Sequence, residues 1–219
     1  LRELISQPGI VVAPGCHDGL TARLVQQNGF QVCYMGGNGT MASYLGIPDI
    51  GLGTATEMIT RARYLAEILD IPLVCDADTG YGDVSSVVRT VREYEAAGVS
   101  GIHFEDQVMP KKCGSMGGVQ VVPVEEICAK IKAALEARRD PNFMIIARTD
   151  CFNTLGIDEA IDRCKKFWDV GADMLMPENF TKRKDVERVA RELVNYKSPY
   201  RDDKPIVLYD VCEFEEGRI

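Results

Sequence analysis

The sequence has few of the features that mark secreted, membrane-spanning or zinc-binding proteins. Its eight cysteines stand singly, without a CxxC pair, and several lie inside apolar runs. This spacing argues against a disulfide framework or a zinc site and favours reduced, buried thiols. No apolar run approaches the roughly 18 residues of a membrane span, and the first ten residues lack a secretory signal pattern. We therefore expect no membrane partner and a cytoplasmic location, with mitochondria or peroxisomes as alternatives.

Positive charge is also scarce. The 25 lysines and arginines face 33 acidic residues, which gives a formal net charge of −8. An acidic protein repels phosphate backbones, so we expect no nucleic-acid partner. It also repels anionic small molecules at long range, so an acidic substrate would need a local cation, either a metal or a placed Arg or Lys. The sequence has no GxSxG motif, which argues against a serine hydrolase.

The 219 residues do contain a regular alternation of short β-rich runs and longer helical patterns. We predict seven strands, over residues 10–13, 32–35, 72–76, 101–105, 143–147, 174–176 and 205–209. We predict a short helix at the start of the chain and six longer ones, over residues 18–28, 54–69, 84–97, 124–138, 157–170 and 182–195. This order predicts one α/β domain over residues 1–219 with a parallel sheet. The pattern alone leaves a doubly wound sheet and an eight-stranded barrel open, and the barrel would be one βα unit short.

Polar residues gather directly after the predicted strands. Examples are the aspartate- and glycine-rich DADTGYG segment after the third strand, EDQ after the fourth and RTD after the fifth. The amino ends of the strands carry ordinary turns instead. Ligands bind at the carboxyl ends of parallel strands because the βα loops converge there. This asymmetry indicates an enzyme with its active site at that rim.

The DADTGYG segment predicts a metal site. Alternating residues of a strand point to the same side, so Asp76 and Asp78 can face one centre, together with Glu105 from the neighbouring strand. Such an all-oxygen site suits Mg²⁺, with Mn²⁺ as the alternative, better than zinc. The competing interpretation is that Asp78 caps a turn and Asp76 is solvated. Carboxylates buried together repel and need a cation or a proton, which favours the metal.

A long loop and one arginine complete the residues singled out by chemistry alone. Residues 108–122 contain flanking glycines and resemble a mobile lid. Cys113 lies in this loop beside two lysines, where a cysteine can act as an acid or a nucleophile, although an incidental surface thiol is an equal alternative. Arg148 emerges from a buried strand and could grip a carboxylate or phosphate bidentately. The alternative is an internal ion pair with Asp150 or Glu178.

Taken together, the motifs resemble those of the isocitrate lyase / phosphoenolpyruvate mutase superfamily. The matching segments run nearly end to end and include GIPDIGLGT, DADTGYG, FEDQ, KKCGS, IARTD and PEN. The resemblance implies a TIM-type (β/α)8 barrel, usually assembled as a homotetramer, and a small carboxylic-acid substrate. It implies Mg²⁺ held near four carboxylates, those of Asp49, Asp76, Asp78 and Glu105.

The resemblance also implies roles for the remaining site residues. The substrate would contact Tyr34, the backbone at Gly36 and Gly37, Arg148 and Glu178, and the lid would bring Lys111, Cys113 and Gly114 over it. In the lyase branch the lid cysteine protonates the enolate left by carbon–carbon cleavage. The implied function is a Mg²⁺-dependent lyase of a 2-hydroxy or 2-oxo di- or tricarboxylate. The alternatives are an oxaloacetate-type hydrolase or decarboxylase, and a catalytically degenerate barrel that only binds a ligand.

Several positions depart from the superfamily pattern. Gly36 replaces the usual Ser, Asn38 replaces a small residue, Ser115 follows the lid Cys-Gly where His is common, and Tyr209-Asp210 replaces a substrate-contacting Asn. These departures leave the acid unidentified and weigh most against methylisocitrate-like tricarboxylates. No segment corresponds to an eighth strand, so this chain lacks the last βα unit. We expect the natural protein to be longer or this region to be covered by partner chains, and we expect a homo-oligomer.

Overall fold

Six parallel strands form one sheet, and their spatial order follows their order in the chain. The computed structural model describes residues 1–114 and 116–209, so Ser115 and Asp210 lie outside the described residues. The strands are β1 (Gly15–Cys16), β2 (Cys33–Met35), β3 (Leu73–Asp76), β4 (Gly101–Glu105), β5 (Met144–Thr149) and β6 (Met174–Pro177). Each strand pairs in parallel with the next. Sequential parallel pairing requires a crossover between strands, which the helices supply.

Nine helices are described. They are α1 (Arg2–Ser6), α2 (Gly19–Gln27), α3 (Gly37–Tyr44), α4 (Ala55–Ile68), α5 (Val84–Ala96), α6 (Val124–Ala137), α7 (Phe152–Leu155), α8 (Ile157–Asp169) and α9 (Arg183–Val194). Side-chain caps fix several starts; for example, Asp83 accepts hydrogen bonds from the backbone N–H groups of Ser85 and Ser86 at α5. The six longer helices predicted from the sequence are confirmed to within one or two residues. None of the described helices is long and apolar enough to cross a membrane.

The sheet curls into a barrel-like wall. In a flat sheet of six strands the outer strands would be roughly 24 Å apart, since neighbouring strands are about 4.8 Å apart. Instead, Val11 and Ala13, which precede β1, line the same small cavity of about 90 Å³ as Met176 of β6 and Leu208. The two ends of the sheet therefore face each other across a shared interior, although the described strands do not close into a complete ring.

The core has two layers, one on each side of this wall. The outer face of the sheet packs against the helices through a large apolar cluster that includes Phe104, Trp168 and Leu175. The inner face carries a smaller cluster, which includes Val74, Ile146 and Met176. Above the inner cluster the inward-pointing residues become polar, and these polar residues build the site described below.

Two strand predictions are corrected by the structure. The predicted first strand over residues 10–13 does not form, because Ile10 and Val12 are exposed to solvent and Pro14 has no N–H to donate; the pairing with β2 begins at Gly15. The predicted seventh strand over residues 205–209 is reduced to one parallel bridge, between Val207 and Leu175. The seven cysteines in the described residues are free, as predicted.

Candidate active site

The predicted site residues come together at one rim of the barrel. A cavity of about 430 Å³ opens at the carboxyl ends of the strands. Ten of the twelve predicted site residues line it, namely Tyr34, Gly36, Gly37, Asp49, Asp76, Lys111, Cys113, Gly114, Arg148 and Glu178. The other two, Asp78 and Glu105, lie directly beneath it, against the Lys111 ammonium. All twelve side chains or backbones therefore belong to one site.

Strand register explains the placement of the deepest groups. Asp76 lies opposite His103 in the β3–β4 ladder, and Glu105 lies opposite Arg148 in the β4–β5 ladder. Since alternate residues face the barrel interior, all four side chains point inward, and the Glu105–Arg148 pair lies two residues farther along β4 than the Asp76–His103 pair. Asp78 reaches this cluster differently from the predicted alternation: β3 ends at Asp76, and Asp78 lies in the following turn with φ of 49°.

Lys111 from the lid is the cation at the centre of the carboxylates. Its Nζ lies 2.7 Å from Asp49 Oδ1, contacts Asp78, and lies 4.0 Å from Glu105 Oε1. Burial lowers the pKa of this lysine, but the surrounding carboxylates outweigh burial and hold the pKa of Lys111 above its usual value. The ammonium therefore stays charged and neutralises part of the cluster.

The carboxylates of the cluster differ in pKa. Burial, followed by the repulsion of Asp76, raises the pKa of Asp78 to about 6, and burial raises the pKa of Glu105 well above its usual value. Burial also favours neutral Asp76, yet positive charge around it and a hydrogen bond from the Asp78 N–H hold its pKa below the usual value. Burial lowers the pKa of His103 to about 4, so its imidazole is neutral at pH 7 and the positive charge near Asp76 comes from Lys111 and Arg148.

These groups fit a hard divalent cation. Asp76, His103 and Glu105 offer ligand atoms within 4.8 Å of one another. Both carboxylate oxygens of Glu105 are buried, and neither has a hydrogen-bond partner among the described residues. A buried carboxylate in that state needs a cation or a proton. The donors are mostly carboxylate oxygens, the ligand set that Mg²⁺ and Mn²⁺ prefer.

Glycines let two backbone segments approach the site. A Cβ added at Gly37 would stand 2.7 Å from Asp76 Oδ2, to which the Gly37 N–H donates a hydrogen bond of 3.1 Å. A Cβ added at Gly114 would stand 2.8 Å from Arg148 Nη2. Glycine at these two positions therefore allows helix α3 and the lid to close against charged side chains.

Arg148 is held by an internal partner. Its Nε and Nη2 donate to the two oxygens of Asp150 at 2.9 and 3.1 Å, one of the two ion pairs considered as alternatives to ligand binding. The same guanidinium lines the cavity, so the pair orients Arg148 toward the space where a ligand carboxylate would lie. From the sequence, Asp150 of the IARTD motif was considered only as this ion-pair alternative and was given no part in ligand binding.

The lid lies over the cavity and is anchored by the backbone. The Cys113 N–H donates to the Asp49 carbonyl at 2.9 Å. Gln107 contacts the Lys112 backbone through two hydrogen bonds and Asp150 through a third. Cys113 is half-buried and lines the cavity. The EDQ motif contains Gln107, but the sequence predicted no role for this residue, because two of its three hydrogen bonds are to backbone atoms that no side-chain pattern reveals.

Fold and site together define an α/β barrel enzyme with a carboxylate-rich centre, a buried arginine and a cysteine-bearing lid at the carboxyl ends of its strands. A model of the phosphoenolpyruvate phosphomutase family matches residues 1–203. The chain belongs to this family. The superfamily and the fold class predicted from the sequence are thereby confirmed.

Individual relatives carry lyase names. The 2,3-dimethylmalate lyase of Eubacterium barkeri is 48% identical over 196 residues, which cover 90% of this chain and 68% of the relative. The probable 2-methylisocitrate lyase 2 of Corynebacterium glutamicum is 45% identical over 188 residues, which cover 86% of this chain and 61% of the relative. The chain thus spans roughly two thirds of the length of these proteins. The names of both relatives state a lyase, which agrees with the predicted enzyme class.

Solved structures of the same superfamily superpose closely. Oxaloacetate acetylhydrolase in complex with 3,3-difluorooxalacetate matches with a TM-score of 0.87 and 33% identity, covering 96% of this chain and 78% of that one. Phosphonopyruvate hydrolase in complex with oxalate and Mg²⁺ matches with a TM-score of 0.82 and 29% identity, covering 95% of this chain and 69% of that one. Both of these structures are named hydrolases, whereas the relatives above are named lyases, so the superfamily includes both classes of enzyme.

Proposed function

We propose that this chain carries the active site of a Mg²⁺-dependent lyase that cleaves a carbon–carbon bond of a 2-hydroxy or 2-oxo di- or tricarboxylate through an enolate. One observation carries the proposal: the lid places Cys113 in the same cavity as Arg148 and the carboxylate cluster. An acid, a carboxylate-binding cation and a candidate metal site therefore face one space. The lyase names of the relatives support the same reaction class.

The metal proposal rests on the carboxylate cluster. Asp49, Asp76, Asp78 and Glu105 would hold Mg²⁺, with Mn²⁺ as the alternative. The two buried Glu105 oxygens, which accept no hydrogen bond from any described residue, support this assignment, and so does the Mg²⁺ in the phosphonopyruvate hydrolase complex. When bound, the cation supplies positive charge against which a substrate carboxylate and its neighbouring oxygen can align.

The protein's own groups bind and orient the acid. Arg148, held by Asp150, offers its guanidinium to a substrate carboxylate. The Tyr34 hydroxyl, fixed at 2.8 Å from His103 Nε2, and the backbone at Gly36 and Gly37 line the opposite side. Glu178 closes the wall beyond β6. These groups hold the scissile bond between the carboxylate cluster and the lid.

Cys113 is the proposed general acid. As the carbon–carbon bond of a 2-hydroxy acid breaks, the 2-hydroxyl becomes a carbonyl and its proton passes to solvent. The electron pair of the broken bond stays on the carbon next to the other carboxylate, the Cys113 thiol protonates that carbon, and solvent then reprotonates the thiolate. The Lys111 ammonium ties the lid to the carboxylates, and Gly114 allows the lid to approach Arg148 closely. Closure of the lid also excludes water, which would otherwise quench the carbanion without stereochemical control.

The test is a screen of 2-hydroxy and 2-oxo acids with Mg²⁺, in which pyruvate, glyoxylate and oxalate are measured as products. Activity should disappear in EDTA and return with Mg²⁺. Cys113→Ser should lower kcat by about 10²–10⁴-fold, the usual contribution of a general acid, with little change in KM. Cys128→Ser, on α6 at the outside of the barrel, is the matched control and should keep its activity. Wild-type turnover by Cys113→Ser contradicts the assignment.

A hydrolase or decarboxylase of an oxaloacetate-like acid is the second candidate. The close superposition on oxaloacetate acetylhydrolase favours it specifically. In that reaction water or a proton takes the place of the carbon electrophile at the same cavity. Release of oxalate with acetate, or of carbon dioxide with pyruvate, from oxaloacetate would select this alternative. A protein that binds oxalate with Mg²⁺ but turns over none of the acids would be the degenerate barrel.

The assembly and location complete the proposal. We expect a homotetramer in the cytoplasm, with mitochondria or peroxisomes as alternative locations. We expect a small carboxylic acid as substrate and no nucleic-acid or membrane partner. Several large apolar side chains on α2 and α4 are exposed, among them Leu20 and Tyr64, and burial between subunits would remove them from water. Light scattering gives the mass in solution, and a 24.2 kDa monomer would contradict the assembly.

A further inference from the structure

Gln107 lies between the lid and the ion pair that orients Arg148. Its side chain is buried, with 2% of its surface exposed. Nε2 donates to Asp150 Oδ2 at 2.5 Å and to the Lys112 carbonyl at 2.8 Å, while Oε1 accepts from the Lys112 N–H at 2.9 Å. Both N–H donors and the carbonyl of one amide are therefore used, across three chain segments.

Only a primary amide of this length completes that pattern. The backbone of Lys112 presents one donor and one acceptor, and Asp150 presents an acceptor, so the bridging group must donate twice and accept once. A glutamate in the same shape would place a carboxylate against Asp150 and could not donate to either partner. A leucine would leave the half-buried Lys112 backbone and the buried Asp150 carboxylate without these bonds.

The other end of the network is rigid. Asp106 accepts hydrogen bonds from the Asp150 N–H at 2.9 Å and from Thr149 Oγ1 at 2.6 Å, and forms a buried ion pair with Arg163 at 2.9 Å. Arg163 also donates to the carbonyl of Val122, at the far end of the lid. Asp150 therefore occupies a fixed position, and the movable partner of Gln107 is the lid.

From these contacts we propose that Gln107 is a positioning residue that couples the lid to the orientation of Arg148. Its amide fastens the Lys112 backbone, and thereby both neighbouring residues Lys111 and Cys113, to the carboxylate that grips the arginine. Lid position and arginine orientation are then stabilised together, so the acid group reaches the cavity when the carboxylate-binding group is aligned. This inference assigns Gln107 a part in the site whose chemistry is proposed above and rests on that proposal for its kinetic consequence.

The decisive experiment follows lid position without using catalysis. The alkylation rate of Cys113 by iodoacetamide is measured by peptide mass spectrometry, with and without oxalate plus Mg²⁺. Losing three hydrogen bonds should open the lid and raise that rate by roughly 10–100-fold in Gln107→Leu. Gln120→Leu, the same substitution at an exposed lid residue, is the control and should stay within about twofold of wild type.

Gln107→Glu is a second variant that keeps the test valid if Gln107→Leu fails to fold. It preserves size and shape, and it should also accelerate alkylation because the two carboxylates repel. Circular dichroism and a melting curve verify that both variants are folded. In a folded variant, alkylation equal to that of Gln120→Leu in both ligand conditions overturns the coupling.

A kinetic arm separates positioning from mere stability. Since the proton-delivery step requires the closed lid, kcat of Gln107→Leu should fall by about 10-fold or more while KM changes little. A double-mutant cycle with Asp150→Asn should be non-additive if the two residues act through one another. If the wild-type protein has no lyase activity but Cys113 is alkylated faster in folded Gln107→Leu than in wild type, the proposed function is refuted and the coupling stands. Additive effects in the cycle would overturn the coupling.

Discussion

Replacing Gly37 by alanine tests the carboxylate cluster with a single methyl group. The new Cβ would stand 2.7 Å from Asp76 Oδ2 and 3.4 Å from Asp49 Oδ2. To regain an ordinary contact of 3.4 Å, the Asp76 carboxylate must retreat by roughly 0.7 Å, and it then weakens its hydrogen bond from the Gly37 N–H. That shift exceeds the tolerance of about 0.5 Å within which a metal or catalytic site keeps its geometry. Mg²⁺ demands nearly ideal octahedral geometry, so we expect the affinity for Mg²⁺ to fall.

We expect Gly37→Ala to weaken Mg²⁺ binding by about 10–100-fold, the usual effect of disturbing groups that orient metal ligands. The fold should survive, because position 37 is the first residue of α3 and alanine favours a helix by up to about 1 kcal/mol over glycine. Calorimetric titration with Mg²⁺ measures the affinity. Gly15→Ala is the matched control, since a Cβ there meets nothing within 4 Å. Wild-type affinity in a folded Gly37→Ala protein would refute the assignment of Asp76 to the metal.

Two further predictions concern stability. Arg163→Met should cost about 3–5 kcal/mol of unfolding free energy at pH 7, because it strands the buried Asp106 carboxylate. Burial already raises the pKa of Asp106, so the cost should be smallest below the unfolded-state pKa near 4, where the carboxyl is protonated, and should grow as pH rises through the folded-state pKa of Asp106. Urea titrations at several pH values measure the cost. A cost that does not change with pH would count against this explanation. Asp83→Ala should cost about 1 kcal/mol by removing the cap of α5, whereas Asp83→Asn should keep most of it; equal melting temperatures for the two variants would contradict this.

Much of the fold was predictable because the pattern is local. The longer helices carry amphipathic repeats, and the strands are short apolar runs between glycine-rich turns. Helix α3 was missed because its sequence, GNGTMASY, has two glycines and no amphipathic pattern. It is held instead by a local bond in its first turn, in which the Thr40 hydroxyl donates to the Gly36 carbonyl at 2.7 Å, and by the tertiary burial of Met41 in the core.

The candidate site was predictable to the extent that the barrel rule applies. Carboxyl ends of parallel strands converge, so the polar residues that follow them must be neighbours. The rule says nothing about which charges pair. It could not show that Lys111 would reach Asp49 and Asp78, because those contacts join three loops, and a loop's path depends on long-range packing. For the same reason the role of Gln107, whose partners are largely backbone atoms, is visible only in three dimensions.

The charge balance of the cavity predicts that a small acid binds only together with a divalent cation. Each cation of the site already has a carboxylate partner: Lys111 contacts Asp49 and Asp78, and Arg148 grips Asp150. The net charge of −8 adds a repulsive long-range field. A dianion such as oxalate must therefore bring in positive charge that the protein alone does not supply. Calorimetry should detect oxalate binding with Mg²⁺ and find it at least about 100-fold weaker in EDTA, a loss that corresponds to about 2.7 kcal/mol. Equal affinity in both buffers would mean that the arginine and the lysine suffice, and that the carboxylates beneath them serve the fold and hold no metal.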